Sequence, residues 1–277
     1  MSTLLANPSL AQCPTRPNAA PLASHPARIL LLDHTAIWSG GEIALYNLVR
    51  NLPQRYCPVV VLFSPGPLAD ELRAANIETH ILPLAADVVN TRKDSLGLGN
   101  LTRLRQLSSI AGFVLRLARL IRRLDVDLVH TNSLKSDLIG GLAARLARKP
   151  LVWHVRDRID SDYLPAKVAA AFRMLSRLLP RCVITNSAAT LTTLAPAPSP
   201  RLRVVHDGTE LHPRPDSDRA NAGPPLIGLV GRISRWKGQH IFLRAAALVR
   251  QRFPDARFQI IGGALFDERD YDSEIRA

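Results

Sequence analysis

Arg28-Ile29-Leu30-Leu31-Leu32-Asp33 leads, after a short connection, into Ser39-Gly40-Gly41-Glu42 and then Ile43, Leu45, Leu48, Val49 and Leu52. The first run is apolar without alternation, as a strand buried on both faces requires, and the second set recurs at helical spacing. A buried strand feeding an amphipathic helix opens a parallel βαβ unit. The alternation continues, with strands expected at 58–63, 78–82, 127–131, 151–155, 182–185 and 202–206. Helices are expected at 67–76, 101–124, 136–147 and 165–179, with a short one after Ser187. Strands and helices in strict alternation predict an α/β fold, a doubly wound parallel sheet covered on both faces.

Outward from this core, residues 1–27 are rich in Ala, Pro, Ser and Asn and read as a disordered leader. The sheet domain is placed at 28–207, and the proline-rich stretch 208–225 reads as a linker. Residues 226–277 hold one further βαβ pattern, strand 226–230, helix 238–253 and strand 257–261, followed by a stub. Residues 83–100 lack a period and read as a long loop. In the helix at 101–124, Leu104, Leu107, Val114, Leu117, Ile121 and Leu124 form an apolar stripe, while Arg116, Arg119 and Arg123 lie on another face.

The 277 residues are 47% hydrophobic and 21% charged, which excludes global disorder. Thirty-six Lys and Arg against 23 Asp and Glu give a net charge of +13, which favours anionic partners. Aromatics are only 5% and no nucleic-acid motif is present, so nucleic acid is not expected; the Arg-rich helix is instead a face for peripheral contact with an anionic membrane, or a solvated surface. Cys13, Cys57 and Cys182 show neither zinc spacing nor a dense disulfide framework, which fits a reducing compartment. With no membrane-span or signal-peptide pattern, a cytoplasmic location is expected, including the inner face of the membrane.

Open parallel sheets bind ligands where strand ends meet helix N-termini. Gly40 and Gly41 stand at such a place, either to admit an anion to backbone N–H groups or to form a tight turn. His154, in Trp153-His154-Val155-Arg156-Asp157, ends one strand; His130 and Asn132 end its neighbour. Each alone reads more often as structural than as catalytic, but together they suggest a shared pocket. Gly231-Arg232-Ile233-Ser234-Arg235-Trp236-Lys237-Gly238 lies between a strand and a helix, where Arg232 and Lys237 suit phosphate oxygens.

These segments, with Asp127-Leu128-Val129-His130-Thr131-Asn132-Ser133, resemble family 4 glycosyltransferases over residues 28–277. The resemblance implies a GT-B fold of two facing Rossmann-like domains and retaining transfer of a sugar from a nucleotide-sugar donor. The expected acceptor is an envelope polysaccharide or a lipid-linked saccharide, with no metal or other cofactor. By the same resemblance, Gly40 and Gly41 match the glycine loop near donor diphosphate and acceptor. His154 matches the catalytic-site histidine that contacts the donor sugar, and Arg232 and Lys237 match the pair that neutralises the diphosphate. The family's later pair of spaced glutamates is not matched: Glu268 and Glu274 stand six apart and too early. The chain is therefore expected to be a fragment whose second domain is incomplete, and a poor transferase by itself. The alternative reading is a non-catalytic Rossmann-like binding module.

Overall fold

The computed structural model describes residues 26–84, 100–161, 163–195, 199–210, 223–265 and 268–276, with side chains of the long helix described from Leu107 onward. Most of the expected leader, most of the 83–100 loop and the middle of the linker lie outside these residues, and Ala27, placed in the leader, begins the first strand instead. The chain divides into two compact units, Met1–Leu211 and His212–Ala277.

In the first unit, β1 (Ala27–Asp33), α1 (Gly40–Arg50), β2 (Tyr56–Leu62), α2 (Pro67–Ala74) and β3 (Glu78–Ile81) run in alternation. They are followed by α3 (Asn100–Arg123), β4 (Leu128–Thr131), α4 (Leu134–Leu146), β5 (Leu151–Val155), α5 (Ala166–Leu178), β6 (Cys182–Thr185), α6 (Ala188–Leu194) and β7 (Leu202–Val204). The seven strands form one sheet in the order β3-β2-β1-β4-β5-β6-β7, and every pairing is parallel. The order reverses between β1 and β4, which opens a crevice at the carboxyl ends of those two strands.

Period-two alternation sorts the strand side chains between two cores. Leu30, Leu32, Val59 and Val61 face the larger one, packed against Phe113, Leu117 and Ile121 of α3, Ala143 and Ala144 of α4, and Phe172 of α5. Leu31, Val60 and Leu62 face the smaller one with Leu45 and Val49 of α1 and Leu68 and Leu72 of α2. The doubly wound sheet is thus as expected. Two details differ. Leu107, expected in the apolar stripe, is 62% exposed, whereas Phe113, not expected there, is buried with Val114, Leu117 and Ile121. Strand β7 ends at Val204, two residues before the expected end, although the Val205 N–H still bonds to the Thr185 carbonyl. Cys57, buried in β2, is disulfide-bonded, which the expectation of a reducing compartment does not anticipate, while Cys182 is a free thiol.

In the second unit, β8 (Leu226–Val230) pairs in parallel with β9 (Arg257–Ile261), joined through a 3-10 turn at Arg235–Lys237 and α7 (Gln239–Arg252). A last helix, α8 (Arg269–Arg276), follows where the sequence shows only a stub. No helix among the described residues is long and apolar enough to cross a membrane.

Gly140 lies in mid-α4, where glycine costs a helix about 1 kcal/mol relative to alanine. It is there because α4 presses on the sheet: a Cβ would stand 2.6 Å from Leu32 Cδ1 and 3.1 Å from Thr131 Cγ2, both of them buried. Gly140→Ala is therefore expected to destabilise the first unit by about 1–2 kcal/mol, overpacking outweighing the gained helix propensity. Urea unfolding followed by circular dichroism measures this, and an unchanged or raised midpoint would contradict the packing argument.

Candidate functional site

The crevice between β1 and β4 is floored by polar side chains that the strand ends deliver. Asp33 ends β1 and is 1% exposed. Its Oδ2 accepts from Asn132 Nδ2 at 2.7 Å, and its Oδ1 accepts from the His34 backbone N–H, also at 2.7 Å. Burial alone would raise the Asp33 carboxyl, but hydrogen bonding and charge from His34, with further bonds from Asn132 and Ser133, outweigh it and hold the group below its ordinary value. Asp33 is therefore a satisfied carboxylate that fixes Asn132, which is equally buried.

Asn132 distributes that order. Its amide also reaches the Gly41 carbonyl at 3.2 Å, and its Oδ1 accepts from Arg156 Nε at 3.0 Å. Arg156 NH2 in turn lies 3.4 Å from His154 Nδ1, and His130 Nε2 is at the same distance from that atom. Four expected site residues, Gly41, His130, Asn132 and His154, are thus brought together. The group joining them is Arg156, which sequence reading quoted within its motif but gave no role. Its NH1 also pairs with Asp207, beyond β7.

Gly40 and Gly41 are the first two residues of α1 and neither has a positive φ, so a glycine-dependent turn is not what they provide. A Cβ at Gly40 would meet nothing within 4 Å, and one at Gly41 would meet only Arg156 Cδ at 3.7 Å. Their missing side chains keep open the space before the helix. Ser39, the N-cap, makes no cap bond; its Oγ donates instead to Glu42. Burial, then the Asp33 charge, raises the Glu42 carboxyl.

Both histidines are held neutral. Burial first, then the Arg156 charge, lowers His130 to about 4; burial, Arg156 and then His130 lower His154 to about 2. Because Arg156 can only donate, His154 Nδ1 accepts, and the proton of the neutral ring sits on Nε2. That N–H is buried and has no partner among the described residues. His154 is thus a neutral hydrogen-bond donor, not a proton acceptor. Beside it a cavity of about 430 Å³ opens between α1 and residues 205–210, with His154 and Arg156 among its lining.

The remaining two expected residues belong to the second unit. Arg232 follows β8; its Nε lies 3.4 Å from Glu268 Oε2, and its guanidinium is 5.0 Å from the centre of the Trp236 ring. Gln239 Nε2 donates to the Arg232 carbonyl at 2.8 Å, and Gly238, at φ 76°, turns the chain into α7. Lys237 is exposed, with no partner among the described residues. Arg235 pairs with Glu274, so both late glutamates are engaged with arginines of this loop. No cluster of three or more His, Cys, Asp or Glu able to hold a metal ion occurs among the described residues.

Residues 38–212 match the model of Glycosyltransferase Family 4, and the chain belongs to that family. Among solved structures, it is similar to Anabaena Alr3699/HepE in complex with UDP and glucose, at 26% identity and a TM-score of 0.70. The complex of the same protein with UDP-glucose gives 25% and 0.71. A glycosyltransferase from Rickettsia africae shares the fold, at 15% identity and a TM-score of 0.58. In all three cases 90% of this chain is covered, while the chain spans 64% of the length of the matched structure. No curated protein sequence matches it.

The lowered histidine values fix the sign of a pH effect. Below about pH 6.5 the unfolded chain binds protons at His130 and His154 that the folded chain refuses, so their contribution to stability falls as pH falls. Each histidine adds a slope of about 1.4 kcal/mol per pH unit between its unfolded and folded values. Raised carboxyls such as Glu42 act in the opposite direction, so the measurement is a difference. Compared with the unaltered chain, His130→Asn/His154→Asn should lose less stability between pH 6.5 and 5. Parallel pH curves from chemical unfolding would refute the neutral-histidine assignment.

Proposed function

We propose that this chain carries the machinery of a retaining glycosyltransferase that moves a sugar from a nucleotide-sugar donor to an envelope polysaccharide or lipid-linked acceptor. The observation that carries this reading is the cluster of Gly41, Asn132, His130, His154 and Arg156 at the reversal of strand order. In it His154, a neutral side chain whose buried Nε2–H has no partner among the described residues, lines an open cavity, which supports a contact with a sugar hydroxyl. A neutral imidazole orients such a hydroxyl without adding charge, which supports a positioning role over general-base catalysis.

The second unit serves the donor's diphosphate. Departure of a nucleoside diphosphate develops negative charge, and fixed cations stabilise it. Lys237 is exposed, and Arg232, paired with Glu268 at 3.4 Å, carries a fork that suits phosphate oxygens. Because the similar Anabaena protein was crystallised with UDP and with UDP-glucose, UDP-glucose is the donor to test first. Substituting Arg232→Ala and Lys237→Ala together should weaken UDP binding about a hundredfold, from two charge-assisted contacts of about 1.5 kcal/mol each. Isothermal titration reads this directly; equal affinity in the double variant would reject the donor assignment.

A further inference from the structure

We infer that the ligand of the first unit's cavity carries an oxyanion, phosphate or carboxylate, and that Arg156 takes hold of it by exchanging Asp207 for it. The inference rests on the transferase reading above; it adds that this cavity receives the acceptor, and it narrows the acceptor to an anionic saccharide.

Arg156 has a side chain only 11% exposed, and a guanidinium withdrawn from water needs a counter-charge. Two of its contacts, Asn132 and the neutral His154, provide none. The nearby carboxylate Asp33 is committed to Asn132 and His34. The counter-charge comes instead from Asp207, 37% exposed, on a segment with neither helix nor strand. Residues 205–210 are held by few tethers: Val205 N–H to the Thr185 carbonyl, the His206 ring to the Asn186 carbonyl, Asp207 to Arg156, and Glu210 to Arg50 at 3.5 Å.

A carboxylate on such a strap can leave where one on a buried strand cannot. When it does, the planar fork of Arg156 turns bare N–H groups toward the cavity that both residues line. His154 lines the same cavity; its Nε2–H is buried and without a partner among the described residues. A forked cation beside a neutral donor matches an oxyanion bonded to a sugar that offers a further oxygen. Asp207 holds the position on Arg156 that such a group would take.

The test is a calorimetric titration of the full chain with glucose 1-phosphate, with glucuronate and with uncharged glucose. The chain carries Arg232→Ala and Lys237→Ala, so that anion binding by the second unit does not enter. Adding Asp207→Asn, with circular dichroism confirming the fold, should tighten at least one of the two anions about fivefold and leave glucose unchanged. Tightening of glucose 1-phosphate alone assigns a phosphate, and tightening of glucuronate alone a carboxylate. Adding Arg156→Gln should then remove the gain, with circular dichroism confirming the fold. A gain of affinity does not arise from unfolding, whereas a strap with a merely structural role predicts none. Unchanged or weaker binding of both anions in the Asp207 variant would overturn the inference. UDP binding, which reports on Arg232 and Lys237, is measured separately, so failure of the transferase reading is told apart from failure of this one.

Discussion

The hydrogen bond from Asn132 to Asp33 spans the place where the sheet changes direction. Two strands that diverge in connectivity leave a crevice, and a crevice in a parallel sheet would ordinarily fill with water or collapse. Here a buried carboxylate from β1 and a buried amide from β4 close its floor at 2.7 Å. The amide then has one carbonyl oxygen left, which orients Arg156, and one further N–H, which fixes the start of α1 through Gly41. Loss of either partner would leave a buried polar group unsatisfied and would release three elements at once.

The same floor tolerates an unusual density of ionisable groups because each is treated differently. Asp33 is kept ionised by donors on both oxygens. Asp137, at the start of α4, is fully buried; burial drives its carboxyl well above the ordinary range, though Thr131 Oγ1 donates to it. The histidines are neutral and the arginine is compensated from outside. A chain with net charge +13 thus builds a polar pocket in which the single arginine governs the local field.

The strands were legible because a strand buried on both faces must be apolar throughout, and Leu30-Leu31-Leu32 and Val59-Val60-Val61 satisfy this without ambiguity. The polar residues interrupting such runs at their ends, His130, Asn132 and His154, could be singled out for the same reason. Arg156 was not, because its meaning lies in partners 24 and 51 residues away, and nothing in local spacing announces Asp207. Leu107 fits the helical period yet lies exposed, since periodicity gives a face but not how far the sheet beneath it extends. The open space before Gly40 was equally out of reach: a glycine at a helix start reads as a turn or a cradle until its surroundings are known.

The two cores differ in depth, and this divides the pocket into parts of different stiffness. His154 and Arg156 stand at the end of β5, whose Trp153 is locked beneath α4 and against Phe172 in the larger core. The opposite wall is α1, held to the sheet by the smaller core, chiefly through Leu45 and Val49. Elements with less buried apolar contact open at lower free energy than the global fold. The floor that reads chemical groups is therefore rigid, while the wall that sets the width of the opening yields first. Such a pocket can hold one functional group in fixed register while admitting neighbouring sugar units of different bulk.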